Sequence, residues 1–215
     1  SGKHSGMLAA ARMRGLTKDN YLELEHPVQQ SIRLAVAEMS GMSPDALIPG
    51  IDGCSAPVYA LPLRAFALAA ARLCEPRGFP PEQRAACEKI TDAMRAYPIM
   101  VAGPGRLDSV LMQVLGDKLI SKGGAEGYQM IGLLPDEKKG TPGIGITIKF
   151  SDGDPDRRAT YSLVTAILRA FGFAEQLENP AYQPFAEAQV RNWRGLLAGE
   201  RRLSPEAAAA LGRCQ

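Results

Sequence analysis

The chain has 215 residues, 46% of them hydrophobic and 22% charged, which is long enough for a sizeable core and close to an ordinary soluble globular composition. That balance excludes a disordered tail, a collagen-like rod and a disulfide-stapled miniprotein. A formal charge of +2, from 25 basic and 23 acidic residues, together with 6% aromatics, gives no electrostatic or stacking basis for binding nucleic acid or a membrane surface.

Residues 5–14 are rich in Ala, Met and Leu and predict a helix that begins after a Ser1-Gly2-Lys3 turn. His26-Pro27 opens a second helix, since proline suits the first helical position. Val28, Ile32, Ala35, Val36 and Met39 then recur at helical spacing as far as Ser40-Gly41. Residues 42–60 carry Pro44, Pro49, Gly50, Gly53 and Pro57, and read as a loop-rich connection with one short extended piece at 51–54. Leu63, Phe66, Ala67, Ala70, Leu73 and Cys74 mark a third helix, broken by the prolines of 76–81. Ala86, Ile90, Ala93, Met94 and Tyr97 mark a fourth, which Pro98 stops. Leu107, Val110, Leu111, Val114 and Leu115 follow the Gly103-Pro104-Gly105 turn as a fifth.

The periodicity then changes. Residues 119–122 read as a short strand running into Gly123-Gly124, and residues 128–134 and 144–150 as two more. The link between the latter two is short and polar, which predicts an antiparallel hairpin. Asp152-Gly153-Asp154-Pro155 is a turn, and Tyr161, Val164, Leu168 and Phe171 mark a long helix ending near Gly172. Residues 188–193 read as an edge strand. Helices cluster first and strands pair late, so the fold class is α+β rather than alternating α/β. Neither a repeat nor a dividing linker appears. Residues 1–200 read as one domain and residues 201–215 as an Ala-rich tail.

The common chemical motifs fail. The two histidines, His4 and His26, sit in no metal or G-x-S-x-G context, and His26 reads as a capping or surface residue. Asp152, Asp154 and Asp156 have calcium-loop spacing, but Arg157 and Leu163 stand where that loop needs Gly and Glu. Cys54, Cys74, Cys87 and Cys214 form no paired motif. Cys74 and Cys87 read as small core hydrophobes, and a reducing cytoplasm is the expected compartment.

Three glycine-flanked polar clusters remain: residues 1–6, residues 52–57 and residues 121–127. Together they suggest a serine hydrolase whose base is lysine, which works when burial and neighbouring cations favour the neutral amine. Lys122 at a strand end is followed by Gly123 and Gly124, whose bare backbone lets substrate lie close. Ser1-Gly2-Lys3 resembles the S-x-N turn, and Lys122-Gly123-Gly124 the K-[TS]-G strand, of the penicillin-binding and β-lactamase superfamily. The S-x-x-K element should lie upstream, yet no Ser or Thr in the chain has Lys three residues later. The expectation is therefore an N-terminally truncated β-lactamase-like domain whose nucleophile lies ahead of Ser1.

Several separated blocks carry a closer likeness. They are Ser1-Gly2-Lys3-His4-Ser5-Gly6, His26-Pro27-Val28-Gln29, Asp52-Gly53-Cys54-Ser55-Ala56-Pro57, Gly103-Pro104-Gly105-Arg106, Lys122-Gly123-Gly124-Ala125-Glu126-Gly127 and Asn192-Trp193-Arg194-Gly195. In this order, over residues 1 to about 200, the chain resembles the C-terminal part of the bacterial asparaginases of the Rhizobium etli (thermolabile asparaginase II) type. The resemblance implies hydrolysis of L-asparagine to L-aspartate and ammonia through an acyl-enzyme. It also implies a small-molecule substrate; composition and charge leave no nucleic-acid or membrane partner, and exposed apolar edges of a truncated domain predict a homodimer.

By the same resemblance, Lys122 is the strand lysine acting as base or proton shuttle and Asp52 an acid that positions the other groups. Ser1 belongs to the active-site wall, and Gly123 and Gly124 to the substrate-binding backbone. Cys54 and Lys3 match residues that can hold a zinc ion, although no cofactor is required. Without the nucleophile segment the 215 residues alone are expected not to turn over asparagine. A glutaminase-like serine amidohydrolase and a non-catalytic remnant of the fold are the competing readings.

Overall fold

The computed structural model describes residues 2–212. α1 (Gly2–Met13) takes up Gly2, Lys3 and His4 as its first turn, so the loop expected there is helical. α2 (Pro27–Ser40) starts where His26-Pro27 predicts. His26, buried rather than on the surface, accepts from the Val28 amide through Nδ1 at 3.2 Å, and Gly41 closes the helix at φ 70°. The region read as loop holds a two-stranded antiparallel ribbon, β1 (Ile48–Ile51) and β2 (Pro57–Ala60). Its extended residues precede Asp52, and residues 52–56 form the turn. Pro49 and Pro57 are tolerated because both strands of such a ribbon are edges.

α3 (Leu63–Cys74) follows as predicted, while α4 (Pro81–Ala96) begins earlier than the apolar spacing suggested. Pro98 ends α4 and at once supplies the first residue of α5 (Pro98–Ala102), a short helix the sequence reading missed. α6 (Leu107–Leu115) leads into β3 (Leu119–Gly123), β4 (Tyr128–Leu133) and β5 (Ile144–Lys149), an antiparallel sheet in that order with β3 at one edge. α7 (Arg158–Ala170) and α8 (Gln183–Ala186) come next. The strand expected at 188–193 is β6 (Gln189–Arg191), which pairs with β7 (Leu197–Glu200) as a separate ribbon rather than edging the main sheet. α9 (Pro205–Gly212) ends the described chain. The class is α+β.

Helices cover both faces of the main sheet. On one face glycine replaces side chains so that α3 can lie on the backbone. A Cβ at Gly145 would stand 1.8 Å from the Ala67 carbonyl oxygen, and one at Gly132 would stand 2.4 Å from Cys74 Sγ. On the other face Leu119, Ile131 and Leu133 join Leu111 and Met112 of α6 and Val164 and Leu168 of α7 in the principal core. Tyr182 is fully buried there with its hydroxyl 2.8 Å from Thr165 Oγ1. Cys74 and Cys87 are buried as expected, and burial pushes the Cys74 thiol pKa up to about 12. A smaller cluster of Met7, Ala11, Val28 and Ala56 ties α1, α2 and the ribbon turn together. No described helix is long and apolar enough to cross a membrane.

Candidate active site

Two of the three sequence clusters meet. The Met7–Ala11–Val28–Ala56 contacts hold the ribbon turn against α1, and this brings Lys3 to Asp52 across 49 residues. Within the turn Asp52 N–H donates to the Ala56 carbonyl at 2.9 Å, and Ser55 takes a left-handed φ of 68°. Asp52 Oδ1 accepts from the Gly53 amide at 2.8 Å, and Oδ2 accepts from Lys3 Nζ at 2.6 Å and from the Cys54 thiol at 3.6 Å. The Asp52 hydrogen bond foremost holds Lys3 above the ordinary lysine range, and the Lys3 bond foremost holds Asp52 below the carboxylate range. Both groups are therefore charged across neutral pH. Lys3 is an ammonium here and not a neutral base. Cys54 is exposed, contrary to the usual burial of a lone cysteine. On the same helix as Lys3, His4 Nδ1 stands 2.7 Å from the Tyr21 hydroxyl.

The third cluster builds a separate cavity of about 350 Å³. Its walls come from the α5–α6 turn, the end of β3, Gln129 of β4 and the start of α7. Asp108, in the first turn of α6, is 7% exposed and organises the cavity floor. Its Oδ1 accepts from Ser121 Oγ at 2.6 Å and from Gln129 Nε2 at 2.7 Å, while Oδ2 accepts from the Gly123 amide at 2.8 Å. A buried carboxylate is tolerable only with such partners. The network pins the end of β3 at the point where the chain presents Lys122.

Lys122 is exposed, and its Nζ donates to the adjacent Gly123 carbonyl oxygen. The burial that a lysine base was expected to need is therefore not there. Neighbouring cations are, since Arg106 and Arg157 border the same cavity. Arg157 is aimed by the turn that caps α7. Asp154 accepts from the amides of Ala159 and Thr160 at 3.2 and 2.7 Å and from Thr160 Oγ1 at 2.6 Å, and Arg157 Nη2 then reaches the Gly124 carbonyl at 2.8 Å. Burial acts to raise the Asp154 pKa, but those bonds and the Arg157 charge outweigh it, so Asp154 lies below the ordinary carboxylate range. The Glu126 carbonyl oxygen accepts from Lys149 Nζ.

Among the expected site residues Lys3, Asp52 and Cys54 come together, while Lys122, Gly123 and Gly124 sit at the second location. No direct hydrogen bond or ion pair joins the two groups among the described residues. Ser1 lies outside the described residues. At Gly124 the space a Cβ would take is filled by the Tyr128 ring, 2.8 Å away, and at Gly123 a Cβ would stand 3.2 Å from Asp108 Oδ2. Internal packing thus accounts for both glycines before any substrate does. Sequence reasoning assigned no site role to Asp108, Ser121 or Gln129, although Ser121 opens the third cluster. The single carboxylate within Leu107–Leu115 was the available signal.

The fold is α+β, and its lysine-bordered polar cavity is of small-molecule size. The family model of L-asparaginase II matches residues 1–203, so the chain belongs to the L-asparaginase II family and is an asparaginase-like amidohydrolase. No curated protein sequence matches the chain.

Proposed function

We propose that this chain contributes to hydrolysis of L-asparagine to L-aspartate and ammonia by serine–lysine acyl-enzyme chemistry of the Rhizobium etli type, on a β-lactamase-like fold. The observation that carries the reading is Lys122 at the end of an edge strand, beside two arginines and a pocket of small-molecule size, within the family match. In the reaction the serine hydroxyl gives its proton to a neutral lysine as its oxygen bonds the side-chain carbonyl carbon, and the C–N bond breaks as lysine passes that proton to the nitrogen, which leaves as ammonia. Water then cleaves the acyl ester, releasing aspartate. Lys122 serves as proton shuttle to the leaving nitrogen, which requires that its proton be exchanged away from the Gly123 carbonyl. Nothing within the 215 residues supplies serine and lysine at S-x-x-K spacing, so the acyl acceptor is left to residues outside them.

Asp52 holds Lys3 and Cys54 in one arrangement and acts as a positioning residue. The resemblance also points to zinc on Cys54 and Lys3. The donors present do not fit a zinc shell as they stand: Lys3 keeps its proton on Asp52 and has no lone pair to give, and among the described residues no group of three His, Cys, Asp or Glu converges. A cytoplasmic homodimer belongs to the same reading, with the exposed Ile48, Ile51 and Val58 of the first ribbon as apolar surface for a second copy to cover.

The deciding experiment is ammonia release from L-asparagine and from L-glutamine by the full-length protein and its Lys122→Ala variant. A loss of about 10²- to 10⁴-fold on asparagine is expected. An unchanged rate in the variant sinks the role of Lys122, and preference for glutamine replaces the substrate.

A further inference from the structure

Gln129 carries a feature that the hydrolysis scheme does not use. It is 1% exposed, and its Nε2 is committed to Asp108 Oδ1 and, at 2.9 Å, to Ser121 Oγ. Turning the amide over would press its oxygen against a carboxylate, so electrostatics decide which end faces Asp108. The other end, Oε1, is buried and accepts no hydrogen bond among the described residues. A buried acceptor left in that state costs about 1–3 kcal/mol, which a fold tolerates where a ligand supplies the donor. Gln129 lines the same cavity as Lys122.

The charge of that cavity is one-sided. Arg106, Lys122 and Arg157 border it, and none of the three forms an ion pair with a carboxylate among the described residues. The only carboxylate in the wall, Asp108, already has both oxygens occupied from within the protein. Arg106 immediately precedes α6, whose N-terminal end adds to the positive potential. The cavity therefore asks for an anionic group on the arginine side and an N–H donor on the Gln129 side. At about 350 Å³ it stands at the small end of small-molecule sites. A free α-amino acid has both groups on one carbon and is of that size class.

We propose that this cavity seats the backbone end of the amino-acid substrate, with the α-carboxylate between Arg106 and Arg157 and the α-ammonium donating to Gln129 Oε1. The side-chain amide is then left toward Lys122. The assignment rests on the amidohydrolase reading for its choice of ligand, but its test does not need turnover.

Calorimetric titration of the full-length protein with L-aspartate, and with succinate as the analogue lacking the ammonium, reads the two halves separately. L-Aspartate is expected to bind, succinate at least about tenfold more weakly, and Arg106→Gln to weaken L-aspartate by about tenfold or more. Arg106 is exposed, so this variant keeps the fold. Gln129→Met, checked for native unfolding behaviour, should erase the preference for L-aspartate over succinate. Absence of L-aspartate binding at millimolar concentration, or equal affinity in Arg106→Gln, overturns the carboxylate seat. Equal affinity for succinate and L-aspartate in the wild type overturns the role of Gln129. Binding as expected without ammonia release from asparagine keeps the seat and removes the hydrolase reading.

Discussion

Asp108 and Asp52 each accept three donors, yet the two carboxylates sit in opposite surroundings. Asp108 is 7% exposed beneath the main sheet, and every donor it takes comes from the rigid β3–β4 pair. Asp52 has a side chain 47% exposed, on a ribbon turn, and its strongest partner is a lysine from another element whose side chain is 44% exposed. Inside, desolvation makes the bonds obligatory, because each donor deprived of its acceptor stays deprived. At the surface, water replaces a lost partner and screens the pair. The Asp108 network therefore holds the cavity floor in place, whereas the Asp52 group stands in water, where loss of one partner costs the fold little.

Substitution of Asp108 tests that contrast most severely. Asp108→Ala takes the acceptor from Ser121 Oγ and the Gly123 amide and leaves Gln129 Nε2 only its bonds to Ser121 Oγ and the Met130 carbonyl, and is expected to cost about 3 kcal/mol or more, measured by urea unfolding. A cost under about 1 kcal/mol would mean that water enters the cavity floor and that the buried description is mistaken.

Asp154→Ala removes the cap of α7 and should cost about 1 kcal/mol at neutral pH. Because the folded Asp154 titrates below its unfolded value, its stabilisation is complete above the ordinary carboxylate range. It fades as the pH falls through the depressed folded value. The stability gap between wild type and variant should thus narrow below about pH 4, and a gap that persists unchanged into acid contradicts the cap.

Asp52→Asn, in contrast, is expected to leave the unfolding midpoint where it is while lowering ammonia release by the full-length protein. A large drop in midpoint would move Asp52 into the structural class with Asp108. Thiol labelling gives the gentlest comparison. Cys54 should react with an alkylating reagent in the native state, whereas Cys74, buried and with its pKa near 12, should react only on unfolding. Zinc added to the exposed cluster has to displace the Lys3 proton, so any affinity there should strengthen as pH rises.

Much of the secondary structure was legible because its causes are local. His26-Pro27 announced α2 through a cap and a fixed φ, and the short polar link between β4 and β5 forced them antiparallel. The first ribbon was hidden by its prolines, which strand rules count against any strand but which edge strands accept. α5 was hidden because Pro98 reads as a stop when taken from the left and as a start when taken from the right. Lys122 was found from its glycines, although the structure shows those glycines accommodating Tyr128 and Asp108.

Composition and periodicity were enough to place this chain among α+β proteins and to mark three glycine-flanked polar clusters, within which the family resemblance singled out Lys3, Asp52, Cys54 and Lys122. Those signals reside in neighbouring residues, so one strand of text carries them. Which of the four meet was decided only by packing, as was the assembly of Asp108, Ser121 and Gln129 into one network. The contacts of Ala56 with Met7 and Ala11 bring Asp52 to Lys3, and the pairing of Ser121 with Ile131 and of Gly123 with Gln129 sets the cavity floor. Such contacts join residues far apart in the chain, and their energy comes from burial and desolvation that exist only once the elements have docked.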